Sequence, residues 1–415
     1  MKTSLPNELL HFIVAHVADN DKPALARVCS RLLAVTREHI YKHLSIEGGG
    51  PSDETYALLR SPSIAQYVEV VKISSVYIGQ RLPSHAFDVI GSILESRPWA
   101  PLDIFKHMRS LRSVKFDYGA TFGTADYQHE FAQIIKEYCP NVKALQFDTP
   151  LLHGDEFDVV NLETLAWNCT CQYKHFYYNL PHGPHGPHSS STDPFSRPIM
   201  FDLLQKSLTT LTTLSILPSI MEEEAQLLKW FASLRFPRLQ SLTIGPWYDL
   251  ETEGPKVARC FTTFLLCHPL LEKFQVEFAE ITDFEPDPCL HATTMTEDML
   301  PNLQSLTGHQ SFVLMLAQQN CQCLLKLKSL RLWHSWGEPL QDSLAAMLDA
   351  LKSAGGLPNL KSYCEINDDM EIVYDGFLKR MMDLAGMCPA LETWSGKTYE
   401  DATEVNNSLG SICSY

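Results

Sequence analysis

A short apolar motif recurs along this chain of 415 residues, and it constrains the fold more than any other sequence feature. Six segments place a proline at the second position, an apolar residue two positions later, and another three positions after that. They are CPNVKALQFD (139–148), FPRLQSLTIG (236–245), HPLLEKFQVE (268–277), LPNLQSLTGH (300–309), LPNLKSYCEI (357–366) and CPALETWSGK (388–397). The apolar spacing recurs without the proline in segments 66–75, 108–117, 160–169, 208–217 and 324–333. So regular an offset favours a repeat array over an ordinary α/β domain whose strands happen to follow prolines.

The recurrence distance is that of a short repeat. It is 20 residues from Val142 to Leu162 and 33 residues from Leu327 to Leu360. This spacing, and the pattern L-x-x-L-x-L, resemble those of leucine-rich repeats. The last two apolar positions lie two apart and therefore face one side of a short strand. One unit cannot bury that side alone, whereas a stack of units can.

Segments of helical periodicity separate the predicted strands. They cover residues 127–139, 221–234, 256–267, 343–356 and 375–388, and the prolines that follow them end helices. The sequence therefore predicts an α/β fold, an irregular leucine-rich-repeat solenoid over residues 64–397 with strands on the concave side and helices on the convex side. The Asn or Cys that closes the core of a regular repeat is missing, so we expect irregular curvature.

Polar segments divide the chain. Residues 47–63 contain EGGGPSDE and are predicted to be a linker. Residues 180–198 form a loop rich in His, Pro, Gly and Ser inside the array, and residues 398–415 form a polar carboxy-terminal tail.

Residues 1–46 are predicted to be a separate helical module. Leu9, Ile13 and Val17 recur at helical spacing, with Leu10 and Val14 beside them. The predicted second helix carries Leu25, Val28, Cys29 and Leu32, and the third carries Val35, Ile40 and Leu44. A unit of about 40 residues is marginally stable alone, so we expect it to dock on something.

This module resembles an F-box. The residues that carry the resemblance are LPNELL, the spaced Ile13, and LARVCSRLL at 25–33, which match Leu-Pro-x-Glu-(Leu/Ile) followed about twenty residues later by Val-Cys-(Arg/Lys/Ser)-(Arg/Ser). The ending IYKHLSI (40–46) is similar to fungal F-box proteins, in which this stretch leads into the repeats. The late aromatic is Tyr41, where many F-boxes have Trp. The resemblance covers about a tenth of the chain, and the repeats that follow it match the domain order of the family.

The resemblance implies a substrate-recognition adaptor of an SCF-type cullin–RING ubiquitin ligase, with the F-box docked on a Skp-type adaptor. The positions that match the motif, and would form or support the adaptor-binding surface, are Leu5, Pro6, Leu9, Ile13, Leu25, Val28 and Leu32. The helical pattern alone leaves Leu9 and Ile13 open between docking and core packing. For Val28 and Cys29 it favours core packing.

Charge and composition narrow the classes of partner. Lys+Arg is 33 and Asp+Glu is 49, so the formal charge is 33 − 49 = −16. Such a surface repels phosphate and disfavours nucleic-acid or anionic-membrane binding, and it favours a basic-leaning target. No convincing signal peptide or apolar run of about 20 residues is present, so the 12 cysteines are read as free thiols and the protein as cytoplasmic, nuclear or both.

The sequence offers no recognisable catalytic site. It contains no phosphate-binding glycine loop, no H-E-x-x-H and no G-x-S-x-G elbow. His182, His185 and His188 could bind a transition metal, but their glycine- and proline-rich context favours a plain loop. We therefore predict neither enzyme activity nor cofactor nor metal. An enzyme hidden in the repeats remains the least favoured hypothesis.

Aromatic residues beside the strands are the candidates for target binding. Trp247, Tyr248 and Trp336 stand next to Gly or Pro in predicted loops, whereas Trp167 and Trp394 are expected to pack in the core. The alternative function is a repeat scaffold with no ligase role, in which the amino-terminal helices only cap the array.

Overall fold

Short parallel strands alternate with helices in the computed structural model. It describes residues 5–47, 57, 59–74, 102–116, 125–147, 159–168, 199–217, 233–247, 262–278, 296–333, 340–366 and 383–397. The chain divides into two units, residues 1–207 and residues 208–415, each of which is described by itself.

The first unit contains strands β1 to β5. They are β1 His43–Glu47, β2 Val70–Ser74, β3 Ser113–Phe116, β4 Ala144–Phe147 and β5 Thr164–Asn168. Each strand pairs in parallel with the next one along the chain. The α-helices are α1 Asn7–His16, α2 Lys22–Ala26, α3 Ser30–Ile40, Pro62–Ala65, Ala125–Tyr138 and Ile199–Lys206, and residues Asp19–Asp21 and Leu102–His107 form 3-10 helices.

The second unit repeats this pattern with strands β6 to β12. They are β6 Thr213–Leu217, β7 Ser241–Trp247, β8 Lys273–Phe278, β9 Ser305–His309, β10 Ser329–Trp333, β11 Ser362–Ile366 and β12 Thr393–Lys397. Here too each strand pairs in parallel with its successor. The helices are Gln310–Gln318, Leu340–Ser353 and the helical residues 262–266 and 383–387, with a 3-10 helix at Gln322–Lys326.

The predicted elements largely coincide with the observed ones. Every motif segment overlaps one of the strands β2 to β12, and the helices predicted at 127–139 and 343–356 are confirmed. The predicted helices 256–267 and 375–388 are helical at 262–266 and 383–387. Almost all of 221–234, most of the 47–63 linker, the 180–198 loop and the 398–415 tail lie outside the described residues.

One prediction about an element is wrong. Leu44 does not extend a third helix, because α3 ends at Ile40 and residues His43–Glu47 form β1. Leu44 pairs with Val71 and Ile46 pairs with Ile73 of β2. The end of the predicted helical module is therefore a strand in register with the first repeat.

The core lies on one side of the strands. In the first unit Val71, Val114, Leu145 and Leu165 are fully buried and follow one another in register. In the second unit the equivalent row contains Leu214, Leu242, Phe274, Leu306, Leu330 and Tyr363. The first apolar residue of each motif is buried beneath the turn that leads into the strand, as at Val142 and Leu303. The motif thus codes for a strand with one buried side and a buried turn.

Consecutive repeats are joined at these turns by shared carbonyls. The amides of Lys143 and Ala144 both donate to the carbonyl of Arg112, at 2.8 and 3.0 Å, and the same paired arrangement recurs at the turns before β2 to β5 and before β7 to β12. The carbonyls that each accept two amides are those of Lys42, Glu69, Arg112, Lys143, Thr212, Gln240, Glu272, Gln304, Lys328 and Lys361. Each repeat therefore satisfies the backbone of the next one.

Asparagines at the third motif position reinforce the turns. Their side-chain amides donate to a carbonyl of the preceding repeat: Asn141 to Arg109 at 2.9 Å, Asn302 to Pro269 at 2.9 Å, and Asn359 to Leu325 at 2.6 Å. The asparagine that closes the core of a regular leucine-rich repeat is absent at the end of the motif. The structure has its asparagines at the start of the motif instead.

Buried polar side chains also link repeats. His268 lies just after the helical residues 262–266 and is 1% exposed. Its Nε2 accepts a hydrogen bond from the amide of Phe236 at 3.0 Å, its Nδ1 donates to the carbonyl of Phe264 at 2.6 Å, and its ring stacks on that of Phe264 at 4.0 Å. These bonds require a neutral imidazole with its proton on Nδ1. Ser207 has a similar place after a helix and accepts from the amide of Leu162.

We predict that His268 makes the stability of the second unit depend on pH. Burial lowers its pKa below the usual value of 6.5, so the folded state binds fewer protons than the unfolded state. This stabilisation is complete above about pH 6.5 and declines as the pH falls below that value. Urea unfolding at about pH 7.5 and pH 5.5 should show a larger loss of unfolding free energy for the wild type than for His268→Gln, which can accept a bond but cannot titrate. Equal pH dependence in the two proteins would contradict this role.

Candidate functional site

The amino-terminal helices pack around a very small core. Leu10 and Val14 of α1 and Val35 of α3 are buried, and Leu25 and Leu32 pack partly buried against them. So small a core contributes little stability, which agrees with the expectation for a module of this size.

Local sequence features define the ends of these helices. Pro6 precedes α1 and Glu8 lies in its first turn, near the positive end of the helix dipole. Pro23 occupies the first turn of α2. The Sγ of Cys29 accepts a bond from the amide of Leu32 at 3.4 Å and so caps α3.

A second apolar side of α1 faces away from this core. Leu5, Leu9, Phe12 and Ile13 are 51%, 49%, 63% and 42% exposed, and Val28, in the turn between α2 and α3, is 68% exposed. We call Leu5, Pro6, Leu9, Phe12, Ile13 and Val28 the apolar patch. Residues Leu9, Phe12 and Ile13 have the i, i+3, i+4 spacing that places side chains on one side of a helix.

A polar contact joins the start of α1 to the start of α3. The Nε of Arg31, at the start of α3, donates to the Oδ1 of Asn7 at 2.8 Å, where α1 begins. This bond places the start of α3, three residues after Val28, next to the amino-terminal end of α1. Exposed large apolar side chains that lie near one another mark interaction surfaces.

The structure separates the predicted adaptor-binding residues into two groups. Leu5, Pro6, Leu9, Ile13 and Val28 are exposed. Leu25 and Leu32 pack against the small core, where they can support the surface from beneath. Phe12 was missed, although its position three residues after Leu9 is the signal that would have found it.

The expectation that Val28 and Cys29 pack in the core is wrong. Both residues are exposed. Helix α2 ends at Ala26 and α3 begins at Ser30, so Val28 and Cys29 occupy the turn between them rather than the inward side of a helix.

The predicted target-binding aromatics are described only in part. Trp247 is the last residue of β7, whereas Tyr248 and Trp336 lie outside the described residues. Trp167 and Trp394, which were expected in the core, are both half-buried. The ring of Trp394 lies 4.6 Å from that of Tyr363 on the neighbouring strand.

The cysteines in the described ranges are free thiols, and several of them are buried. Burial raises the pKa of Cys139 to about 12 and that of Cys388 to about 11, which keeps both thiols protonated and unreactive at neutral pH. A hydrogen bond with Cys321, together with burial, raises the pKa of Cys323. The described ranges contain no group of three His, Cys, Asp or Glu side chains that could hold a metal ion, and His182, His185 and His188 lie outside them.

Fold and site together define a mixed α/β protein with successive parallel strands and an amino-terminal helical unit that exposes an apolar patch. No family model matches the chain, and no curated protein matches it either. In the part of the chain that the structure describes, every helix is too short or too polar to cross a membrane.

Proposed function

We propose that this protein is the substrate-recognition adaptor of an SCF-type cullin–RING E3 ubiquitin ligase. Its amino-terminal helices are an F-box that docks on a Skp-type adaptor, and its repeats bind a target protein for ubiquitylation. The observation that carries the proposal is the apolar patch, which is formed by residues of the LPNELL segment, the next turn of α1, and Val28 in the turn between α2 and α3.

The energetics of the apolar patch support docking. Burying an aliphatic side chain fully is worth about 1.5–3 kcal/mol, and Leu5, Leu9 and Ile13 have about half of their surface left to bury. Together with Phe12 and Val28 they would provide about 5 kcal/mol or more, which offsets much of the cost of association. The small core beneath the patch also favours docking, because a partner would add to the apolar surface that the amino-terminal helices bury.

The repeats support the second half of the proposal. Within each unit, strands in register that are each bonded to the next and buried on one side support this proposal, because a leucine-rich-repeat solenoid is expected to have that arrangement. A solenoid of this kind leaves its other strand side and its loops for binding. The proposal assigns catalysis to partner subunits, requires no cofactor, and places the protein in the cytoplasm, the nucleus or both.

One observation favours the alternative of a scaffold capped by the amino-terminal helices. Strand β1 follows α3 after two residues and pairs with β2 over five residues, so the helical unit runs directly into the strand order. In a capped scaffold, α1 to α3 would protect the first repeat and bind no adaptor.

Direct reconstitution tests the proposed function. The full chain, mixed with a purified Skp-type adaptor, should form a 1:1 complex by size-exclusion chromatography with light scattering. Separate elution of the two proteins at micromolar concentration would contradict the proposal. That result would leave the capped scaffold as the preferred function.

A further inference from the structure

The strand side of the second unit that faces away from the core carries two rows of side chains. In register across β6 to β12, the first row is Thr213, Ser241, Lys273, Ser305, Ser329, Ser362 and Thr393. The second row is Ser215, Thr243, Gln275, Thr307, Arg331 and Cys364. We call these two rows the hydroxyl face, because every position is Ser or Thr apart from Lys273, Arg331, Gln275 and Cys364.

Within these two rows the charged residues are Lys273 and Arg331. Lys273 and Arg331 are exposed, and among the described residues no carboxylate forms an ion pair with either of them. Lys361, which precedes β11, is by contrast paired with Glu392 at 2.7 Å. The two cations of the hydroxyl face are therefore available to an outside anion.

Strand geometry fixes the spacing of these two cations. Lys273 is in register with Ser305 and Ser329, two strands away, and Arg331 stands two residues beyond Ser329. With strands about 4.8 Å apart and a rise of about 3.3 Å per residue, the two backbone positions are about 12 Å apart. That distance is spanned by about four residues of an extended chain.

We propose that the hydroxyl face binds an extended anionic segment of the target protein, whose carboxylate or phosphate groups, four residues apart, bind Lys273 and Arg331. This inference deepens the proposed function by naming the class of substrate, and it rests on that function. The guanidinium of Arg331 can hold a carboxylate or phosphate through two parallel bonds, and Lys273 supplies a second point charge. The half-buried hydroxyls around them donate and accept bonds to the polar groups of the segment.

The proposal reverses the expectation from overall charge. The formal charge of −16 favours a basic-leaning target for the protein as a whole. At contact distance, however, a ligand interacts with the nearest charges, because interactions beyond about 8–10 Å are screened at physiological salt. Lys273 and Arg331 therefore favour an anionic segment at the hydroxyl face, although the protein as a whole is acidic.

Fluorescence anisotropy with defined peptides tests this proposal on the full chain. The probe is a labelled peptide of about twelve Ser, Gly and Ala residues with two glutamates four residues apart, compared with versions carrying phosphoserine or lysine at those positions. At about 50 mM salt, the glutamate or phosphoserine peptide should bind about tenfold or more tightly than the lysine peptide. Preference for phosphoserine identifies phosphate as the source of the anion, and parity or preference for glutamate identifies carboxylate.

Charge-reversal variants locate the binding. Lys273→Glu combined with Arg331→Glu should weaken binding of the anionic peptide about tenfold or more. Lys352→Glu, at an exposed lysine of the helix Leu340–Ser353, reverses one positive charge away from the strands and should alter affinity less than about twofold. Unfolding curves of the three proteins check that each variant is folded.

The proposal would be overturned if the lysine peptide bound as tightly as the anionic peptides, or if the double variant bound the anionic peptide like the wild type. It would also be overturned if a single-stranded oligonucleotide of matched length bound more tightly than the anionic peptides. Leu9→Asp combined with Ile13→Asp should not change peptide binding. If the protein bound the anionic peptide but not the adaptor, the ligase function alone would be refuted. If it bound the adaptor but not the anionic peptide, this inference alone would be refuted.

Discussion

Replacing Leu9 and Ile13 together by aspartate should abolish co-purification with a Skp-type adaptor while the repeats stay folded. Each change removes an apolar side chain that would be buried in the complex and puts a carboxylate in its place. The lost burial alone is worth about 1.5–3 kcal/mol for the pair, because about half of each side chain is already covered. Burying unpaired carboxylates adds several kcal/mol, so affinity should fall more than about a hundredfold.

The chain contains a closely matched control. Leu266 and Leu270 have the same four-residue spacing as Leu9 and Ile13, and they are 49% and 46% exposed against 49% and 42%. Leu266→Asp combined with Leu270→Asp should leave adaptor binding unchanged. Equal loss of binding in both double variants would point to general surface disruption, and undiminished binding in Leu9→Asp with Ile13→Asp would remove the apolar patch from the interface.

Deleting residues 1–47 should destabilise the remaining chain far more than deleting residues 1–40. The longer deletion removes β1, whose Ile46 is buried in register with Ile73, and the Lys42 carbonyl that accepts the amides of Glu69 and Val70. Burial of Ile46 and the lost backbone bonds together amount to about 3 kcal/mol or more. Chemical denaturation of the two truncated proteins, followed by circular dichroism, measures the difference.

These deletions also separate the two candidate functions. If the helices are an F-box, the chain without residues 1–40 should unfold near the wild-type midpoint and fail to bind the adaptor. If the helices cap the array, that same shorter deletion should lower the midpoint about as much as the longer one. The boundary matters because a deletion that cuts into β1 would unfold the first repeat under either function.

The repeat strands could be predicted because their signal is local and is renewed in every unit. Proline fixes the turn, and two apolar positions two residues apart define the buried side of a strand. Strand β1 was missed because Ile40 and Leu44 are four apart, as in a helix, while Leu44 and Ile46 are two apart, as in a strand. With only three apolar positions and no proline, the two periods cannot be distinguished.

The site could be predicted only in outline. Helix α1 is apolar on two sides, and its sequence does not show that Leu10 and Val14 face α3 while Leu9 and Ile13 face outward. That choice depends on how α3 packs, which is a tertiary property. The outward position of Val28 depends on where α2 ends, and helix ends are poorly defined by sequence. The hydroxyl face could not be predicted from any single repeat segment, because it forms only when neighbouring strands pair in register.

The shared carbonyls have a consequence for how such a protein can evolve. Each turn depends on the backbone of the turn before it and on no particular side chain there. The same pair of hydrogen bonds can therefore form between any two consecutive repeats. Connecting segments can therefore differ in length, as the spacings of 20 and 33 residues show, without displacing the strands on either side. Duplicating or losing a whole repeat would therefore require no new contacts beyond these backbone bonds, and the number of repeats could change over evolution.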